Sequence, residues 1–170
     1  MNYRPEDFRF YCGQDVQWSD MDTLGHVNNA RYFTYFESAR LLYFQRIGMK
    51  EIITEGQGPV LANAQCDFHR QLHWPSHLEV GVSCDRLSQR SFNLIYGLFR
   101  SGPGSLGRIG VSASTPQNSA TPEAGENDPS QWELIASGSS VVVWVDFGLG
   151  KAVAIPDYLR DGLKELDDVG

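Results

Sequence analysis

An amphipathic stretch between residues 29 and 47 constrains the fold more than any other part of this sequence. Apolar side chains recur there at spacings of four and three residues, at Tyr32, Phe36, Ala39, Tyr43 and Ile47. This spacing predicts one face of an α-helix. Further aromatic and aliphatic side chains widen the face beyond what a surface helix needs, so we expect the helix to lie in the concave face of a sheet. Gly48 follows the pattern and is expected to end the helix.

The other regular segments predict β-strands and one short helix. Residues 8–18 are the first strand candidate, in which the irregularity at residues 13–15 suggests a bulge. Further strand candidates follow the long helix, at residues 59–70, 78–87, 92–100 and 132–146. The last of them holds the most β-prone run of the chain and is expected to be central. Residues 156–166 predict a short helix with proline in its first turn. Together these segments predict an α+β fold with a mostly antiparallel sheet.

The chain length predicts one domain, because 170 residues can bury most of their apolar surface around a single core. Residues 101–131 break the strand pattern, since they contain five glycines, four prolines and six serines and no aromatic residue. Such a composition does not build a packed core. We therefore expect a single domain over residues 1–170, with a disordered insertion between two strands at residues 101–131.

Charge and hydropathy argue against two classes of function. The net charge of -7 argues against a general nucleic-acid binder, which needs lysine and arginine to neutralise phosphates. No run approaches the ~18 apolar residues that cross a bilayer, and the first residues do not read as an export signal. We therefore expect a protein with no membrane span that is not exported.

The cysteines and histidines do not predict a metal site. Cys12, Cys66 and Cys84 are odd in number and far apart, which indicates reduced thiols in a cytoplasmic protein. The histidines of residues 69–77 recur every four residues without an adjacent acidic partner. We expect no metal and no redox cofactor.

The segment ahead of the long helix carries the groups best suited to chemistry. Carboxylate, imidazole, glycine and amide residues stand together there, at Asp20, Asp22, Gly25, His26, Asn28 and Asn29. They precede the positive end of the helix dipole, where free backbone amides can stabilise an oxyanion. A carboxylate such as Asp22 can act beside them as a nucleophile or general base. This combination favours acyl transfer or hydrolysis.

Each of these residues also has a structural interpretation. Asp22 can close an Asx turn in its own loop, and Gly25 can supply a positive φ. Asn28 or Asn29 can cap the helix. His26 can orient a backbone carbonyl. Taken singly the residues leave both interpretations open, but their arrangement around a glycine favours a site in which a ligand reaches the first amides of the helix.

Residues 18–32 (WSDMDTLGHVNNARY) and 36–40 (FESAR) resemble the signature of hot-dog-fold acyl-CoA thioesterases, in the 4-hydroxybenzoyl-CoA thioesterase-like family. The resemblance implies a long central helix wrapped by a curved antiparallel sheet of five to six strands. It also implies a homodimer or a dimer of dimers, with active sites at the dimer interface. The implied substrate is an acyl-CoA, with CoA as product and no separate cofactor.

The resemblance also implies roles for individual residues. Asp22 corresponds to the catalytic carboxylate, and the amide that polarises the thioester carbonyl falls near Asn29. Gly25 leaves room for the substrate, and Arg90 with Ser91 is the best positional match for contacts to the CoA moiety.

Three points stay open at this stage. His26 and the Asn28-Asn29 pair also resemble plant-type acyl-carrier-protein thioesterases, in which an aspartate, an asparagine and a histidine act within one loop. Leu24 stands where that asparagine is expected, so His26 is catalytic, orients the Asp22 carboxylate, or is structural. The carrier is CoA or an acyl carrier protein, and a non-catalytic acyl-binding module is a further alternative.

Two side-chain placements on the helix complete the expectations. Tyr32 lies on the apolar face, where it is either a core residue or reaches the acyl pocket with its hydroxyl. Glu37 and Arg40 stand three residues apart and are expected to form a solvated or interfacial ion pair.

Overall fold

A curved antiparallel sheet wraps one long helix. The structure, a computed structural model, describes residues 2–103 and 128–169. Its strands are β1 (Phe10–Asp15), β2 (Gln57–Phe68), β3 (Ser76–Leu87), β4 (Ser91–Pro103), β5 (Glu133–Asp146) and β6 (Lys151–Ala152). Its helices are α1 (Asn29–Arg46) and α2 (Asp157–Asp167). The strand order is β1-β3-β4-β5-β2, with β6 paired to β5. The predicted α+β hot-dog architecture is confirmed.

The periodic segments are predicted well and the first strand is not. α1 begins at residue 29 as predicted, and Gly48 follows its end with a φ of 96°. β5 lies between β4 and β2, so its predicted central position is confirmed. A first strand was predicted within residues 8–18 and is present, but the predicted bounds and the predicted bulge are wrong. β1 has six residues, its register with β3 is regular through Gly13, and Trp18–Asp20 form a 3-10 turn.

The middle of α1 is fixed to the sheet by an aromatic stack over a glycine. The rings of Phe36 on α1 and Tyr96 on β4 lie 4.8 Å apart at an angle of 22°. A Cβ at Gly138 on β5 would lie 2.6 Å from Phe36 Cε2 and 2.9 Å from the Gln65 carbonyl oxygen. The helix can approach the sheet this closely only because residue 138 has no side chain.

We expect Gly138→Ala to destabilise the protein, by about 1–3 kcal/mol, because the added methyl group must displace a packed ring or a strand carbonyl. Chemical denaturation measures the change in the free energy of unfolding. Gly148→Ala is the matched control, since a Cβ there would meet nothing closer than 3.4 Å. Equal stability of the two variants would contradict the close approach of α1.

α2 closes the C-terminal end of α1. A Cβ at Gly162 would overlap the carbonyl oxygen of Ile47, the C-cap residue that follows α1. Asp167, the last residue of α2, accepts hydrogen bonds from the Ser83 hydroxyl and the Cys84 amide, each at 2.8 Å. It also accepts one from the buried Tyr43 hydroxyl of α1. One carboxylate therefore ties α2, α1 and β3 together.

Asp167→Ala should lower the free energy of unfolding by about 2–3 kcal/mol, because it leaves several donors without their acceptor, one of them the hydroxyl of buried Tyr43. Asp161→Ala removes an exposed carboxylate from the same helix and should change stability little. Thermal or urea unfolding distinguishes them, and similar losses in both variants would count against the role given to Asp167.

The predicted insertion between two strands is only partly within the described residues. Residues 101–103 belong to β4 and Pro129–Gln131 form a 3-10 turn, so disorder is a wrong prediction for these two ends. The remainder, residues 104–127, lies outside the described residues. It connects β4 and β5, which are antiparallel neighbours.

Other expectations concern the whole chain. The three cysteines are free thiols, as predicted, and burial raises the pKa of Cys66 and of Cys84 to about 12.

In the part of the chain that the structure describes, neither helix combines the length and the apolar character needed to cross a membrane. Location in the cytoplasm stays a prediction.

Candidate active site

The loop before α1 is anchored by the buried carboxylate of Asp20. This carboxylate accepts hydrogen bonds from the Gln17 amide at 2.9 Å and the Tyr35 hydroxyl at 2.7 Å. Its other oxygen lies 3.2 Å from Nε of Arg31. Burial, with the hydrogen bond to Asp20, raises the pKa of Tyr35, so the phenol stays a donor. Asp20 thereby ties the loop to the first two turns of α1, a role that its sequence position alone did not reveal.

Asp22 closes the turn of this loop with part of its side chain. Its backbone amide donates to the His26 carbonyl at 2.8 Å, and Oδ1 accepts a hydrogen bond from the Leu24 amide at 2.8 Å. Gly25 has a φ of 77°, as its structural interpretation predicted. Oδ2 accepts no hydrogen bond from any described residue. The half-buried Asp22 therefore serves an Asx turn with one oxygen and keeps the other available.

The two asparagines at the start of α1 have different roles. Asn28 is the N-cap, because its Oδ1 accepts from the Ala30 amide and its carbonyl from the Arg31 amide, both at 2.9 Å. Asn29 is the first helical residue, and no described residue accepts a hydrogen bond from its backbone amide. An amide at this position has no partner in its own helix and lies at the positive end of the dipole. The helix start therefore offers a free donor for an oxyanion.

His26 packs against a second histidine. The rings of His26 and His73 lie 5.0 Å apart, and His73 Nδ1 donates to the Gly25 carbonyl at 2.9 Å. No described residue hydrogen-bonds the His26 imidazole, and the hydrogen bond between His26 and Asp22 is donated by the Asp22 backbone amide to the His26 backbone carbonyl. A catalytic role for His26 stays a prediction. The segments that hold His26 and His73 also meet at Trp18, which is 70% exposed and packs edge-to-face on Trp74 with ring centroids 5.2 Å apart.

Tyr32 lies in the core. Its side chain is 3% exposed and packs edge-to-face on Phe68 at 4.9 Å. Burial raises the pKa of Tyr32 to about 12. These contacts favour the core interpretation of Tyr32 over contact with substrate.

Arg90 and Ser91 lie far from Asp22 within one chain. β3 begins beside the loop, where the Val16 amide donates to the Ser76 carbonyl at 3.0 Å. It then runs for twelve residues, roughly 40 Å at ~3.3 Å per residue, before the turn that holds Arg90. The structure therefore does not bring Arg90 or Ser91 to the Asp22 loop of the same chain. The sequence could not show this separation, because it does not reveal in which direction β3 runs relative to the Asp22 loop.

A half-open cavity runs along α1 beside β2. Its volume is about 180 Å³, and it is partly open to solvent. Its walls include, from α1 and the sheet, Phe33, Thr34, Glu37, Leu61, Gln65 and Ser139. Phe33 is four residues beyond Asn29, so the cavity begins about 6 Å along the helix axis from the free amide. Asp22 does not line this cavity.

The inner wall of the cavity is polar, which the sequence reasoning missed. Tyr96 Oη and Ser140 Oγ share a hydrogen bond of 2.7 Å, and Arg40 Nη1 donates to Tyr96 Oη at 3.4 Å. The expected ion pair with Glu37 is present, with Arg40 Nη2 3.9 Å from Glu37 Oε1, but the Arg40 side chain is only 12% exposed. Arg40 follows Phe36 by four residues on the apolar face, and a charge in that position is the signal that could have found it.

Known proteins share this sequence pattern. A model of the thioesterase-like superfamily matches residues 16–163. The uncharacterized protein YsmA of Bacillus subtilis (strain 168) is 33% identical over 93 residues, which cover 52% of this chain and 60% of that protein. The matched region therefore spans less than two thirds of that relative.

Solved structures share the whole architecture. The PA5185 protein from Pseudomonas aeruginosa strain PAO1 has a TM-score of 0.72 at 26% identity, covering 95% of this chain and 94% of that one. A thioesterase from Thermus thermophilus, solved with coenzyme A and Zn, has a TM-score of 0.70 at 25% identity, covering 97% and 98%. Because the family model spans the loop, α1 and all the strands from β2 onwards, this chain belongs to the thioesterase-like superfamily.

Proposed function

We propose that this chain hydrolyses an acyl-CoA thioester to a free carboxylic acid and CoA. The observation that carries the proposal is the free Asn29 amide at the start of α1, preceded by a loop in which Asp22 keeps one carboxylate oxygen available. Membership of the thioesterase-like superfamily supports thioester hydrolysis as the reaction. The Thermus thermophilus thioesterase was solved with coenzyme A, which supports CoA as the carrier.

In the proposed reaction, the Asn29 N–H and the helix dipole stabilise negative charge on the thioester oxygen. Asp22 either takes a proton from the water that attacks the carbonyl carbon, or attacks that carbon itself to form an anhydride that water then hydrolyses. The C–S bond breaks, and CoA leaves as a thiolate that takes up a proton. The His26 imidazole, which forms no hydrogen bond with a described residue, can deliver it. The chemistry needs only groups of the protein and one water molecule.

We also propose that two copies pair along β2, as a dimer or within a dimer of dimers. β2 lies at one edge of the sheet, and its Val60, Leu61 and Phe68 are 38–45% exposed. Long exposed edges of this kind are normally paired or covered. A second copy on this edge would lie beside the cavity, and Arg90 and Ser91 of that copy are our proposed contacts for CoA. Sedimentation of a monomer at assay concentration would overturn this arrangement.

A substrate panel tests the proposed reaction. Purified protein is incubated with aliphatic and aromatic acyl-CoAs, and thiol release is followed; a thermal-shift series with free CoA measures binding. We expect thiol release with at least one acyl-CoA. Stabilisation by CoA without thiol release from any acyl-CoA would instead support a non-catalytic module. Faster release from the same acyl group on acyl carrier protein would reassign the carrier.

A further inference from the structure

The polar inner wall of the cavity, formed by Arg40, Tyr96 and Ser140, has no part in the reaction proposed above. Tyr96 and Ser140 are 1% and 2% exposed, and Arg40 is 12% exposed. Burial raises the pKa of Tyr96, so its hydroxyl stays neutral. These three side chains place one positive charge and two hydroxyls against a cavity whose other walls are partly apolar.

The charge of Arg40 is only weakly compensated by the described residues. Its two partners are Tyr96 Oη at 3.4 Å and Glu37 Oε1 at 3.9 Å. Charge-assisted hydrogen bonds are normally about 2.7–2.9 Å long, and a guanidinium has several donors in a planar fork that matches a carboxylate. A largely buried guanidinium with such long contacts gains stability from a further anionic acceptor.

The cavity begins at Phe33, about 6 Å along the helix axis from the Asn29 amide, and extends to this guanidinium. Asn29 and Arg40 are eleven residues apart, about 16 Å along the helix axis. The guanidinium lies closer than that to the helix start, because helical side chains lean toward the N-terminus. Phe33 and Phe36 line the cavity in between, with Leu61 from β2. A chain of methylene groups suits these apolar walls.

We propose that Arg40 binds a carboxylate at the far end of the acyl group, so that the preferred substrates are CoA monothioesters of dicarboxylic acids. This inference rests on the proposed hydrolysis and names its substrate class. The apolar walls contact the methylene groups, and the Tyr96 hydroxyl, which accepts from the guanidinium and shares a hydrogen bond with Ser140, lines the same cavity.

Glu37 opposes this binding, because it adds a negative charge to the same cavity. Its side chain is 61% exposed, so it can turn toward solvent when a carboxylate occupies the guanidinium. A variant of Glu37 should therefore have the opposite effect to a variant of Arg40. Removing the Glu37 charge should strengthen the preference for a dicarboxylic substrate.

Paired substrates test the preference. The kcat/KM for adipoyl-, suberoyl- and sebacoyl-CoA is compared with that for the plain acyl-CoA of the same carbon number. We expect at least one dicarboxylic substrate to exceed its partner about tenfold, with an optimum length. Hydrolysis of plain acyl-CoAs with no such preference at any length would overturn the inference and leave the proposed function intact.

Absence of hydrolysis for every substrate would overturn the proposed function instead. The inference is then decided by thermal shift, in which sebacoyl-CoA should stabilise the protein more than decanoyl-CoA does. Equal stabilisation by the two would overturn it.

Variants assign the preference to Arg40. Arg40→Gln should lower the ratio of the two kcat/KM values about ten- to hundredfold, and Glu37→Gln should raise it. Arg46→Gln removes an exposed charge from the same helix and should leave the ratio unchanged. An equal loss for both substrates in Arg40→Gln would overturn the assignment. Should that variant fail to fold, Arg40→Lys and Glu37→Gln carry the same comparison.

Discussion

We expect Asp22→Asn to lower kcat for thioester hydrolysis by about 10²–10⁴-fold, the contribution typical of a positioned general base. The asparagine oxygen can still accept the Leu24 amide, so the turn that Asp22 closes is retained. The available Oδ2 is replaced by an amide nitrogen, which can neither take a proton from water nor attack a carbonyl carbon. The fold should therefore persist while turnover is lost.

Steady-state assays of thiol release, together with thermal unfolding, measure the effect of Asp22→Asn. Asp161→Asn, which neutralises an exposed carboxylate on α2, is the control and should retain wild-type rates. Wild-type kcat in a folded Asp22→Asn variant would refute the role of Asp22. A large loss of stability would show instead that the carboxylate is needed for the loop itself.

Asn29→Pro should lower kcat by about 10²–10³-fold, the usual cost of losing one oxyanion donor. Proline deletes the backbone N–H of residue 29 but is well tolerated at the first position of a helix. The preceding Asn28 has φ -59° and ψ 136°, an extended conformation that a following proline permits. The substitution therefore removes the proposed donor and leaves α1 in place.

Asn29→Ala separates the amide from the side chain. It keeps the N–H and removes the exposed carboxamide, so we expect activity close to wild type. Circular dichroism and thermal unfolding establish whether both variants fold. Activity close to wild type in both the proline and the alanine variant would show that the Asn29 amide does not hold the oxyanion, and an equal loss in both would assign the effect to the side chain.

Local sequence patterns predicted most of the fold, because apolar residues recur with a different spacing in helices than in strands. The apolar spacing of four and three located α1, and the β-prone run placed β5 inside the sheet. The end of β1 could not be predicted in this way. Val16 and Trp18 continue the alternation of apolar residues that is typical of a strand. The Asp20 carboxylate, however, accepts a hydrogen bond from the Gln17 amide, and the chain turns there. That carboxylate is held by Tyr35 on α1, a contact that local sequence does not report.

The candidate site was predicted where it is local and missed where it depends on the fold. The loop groups and the helix start were found because they adjoin in sequence. Arg90 was linked to the same loop, yet the length of β3 places it at the far end of the strand. Helix spacing suggested Glu37 as the partner of Arg40, but it could not reveal the contact with Tyr96 of the sheet, whose hydroxyl also shares a hydrogen bond with Ser140.

The two ends of α1 are held in different ways. α2 packs on the C-terminal end through the close approach at Gly162 and the Asp167 carboxylate, whereas at the N-terminal end no described residue accepts a hydrogen bond from the Asn29 amide. The contacts that stabilise the fold at α2 therefore lie at the opposite end of α1 from the residues proposed to catalyse hydrolysis. Substitutions around α2 are thus expected to change the free energy of unfolding without changing kcat.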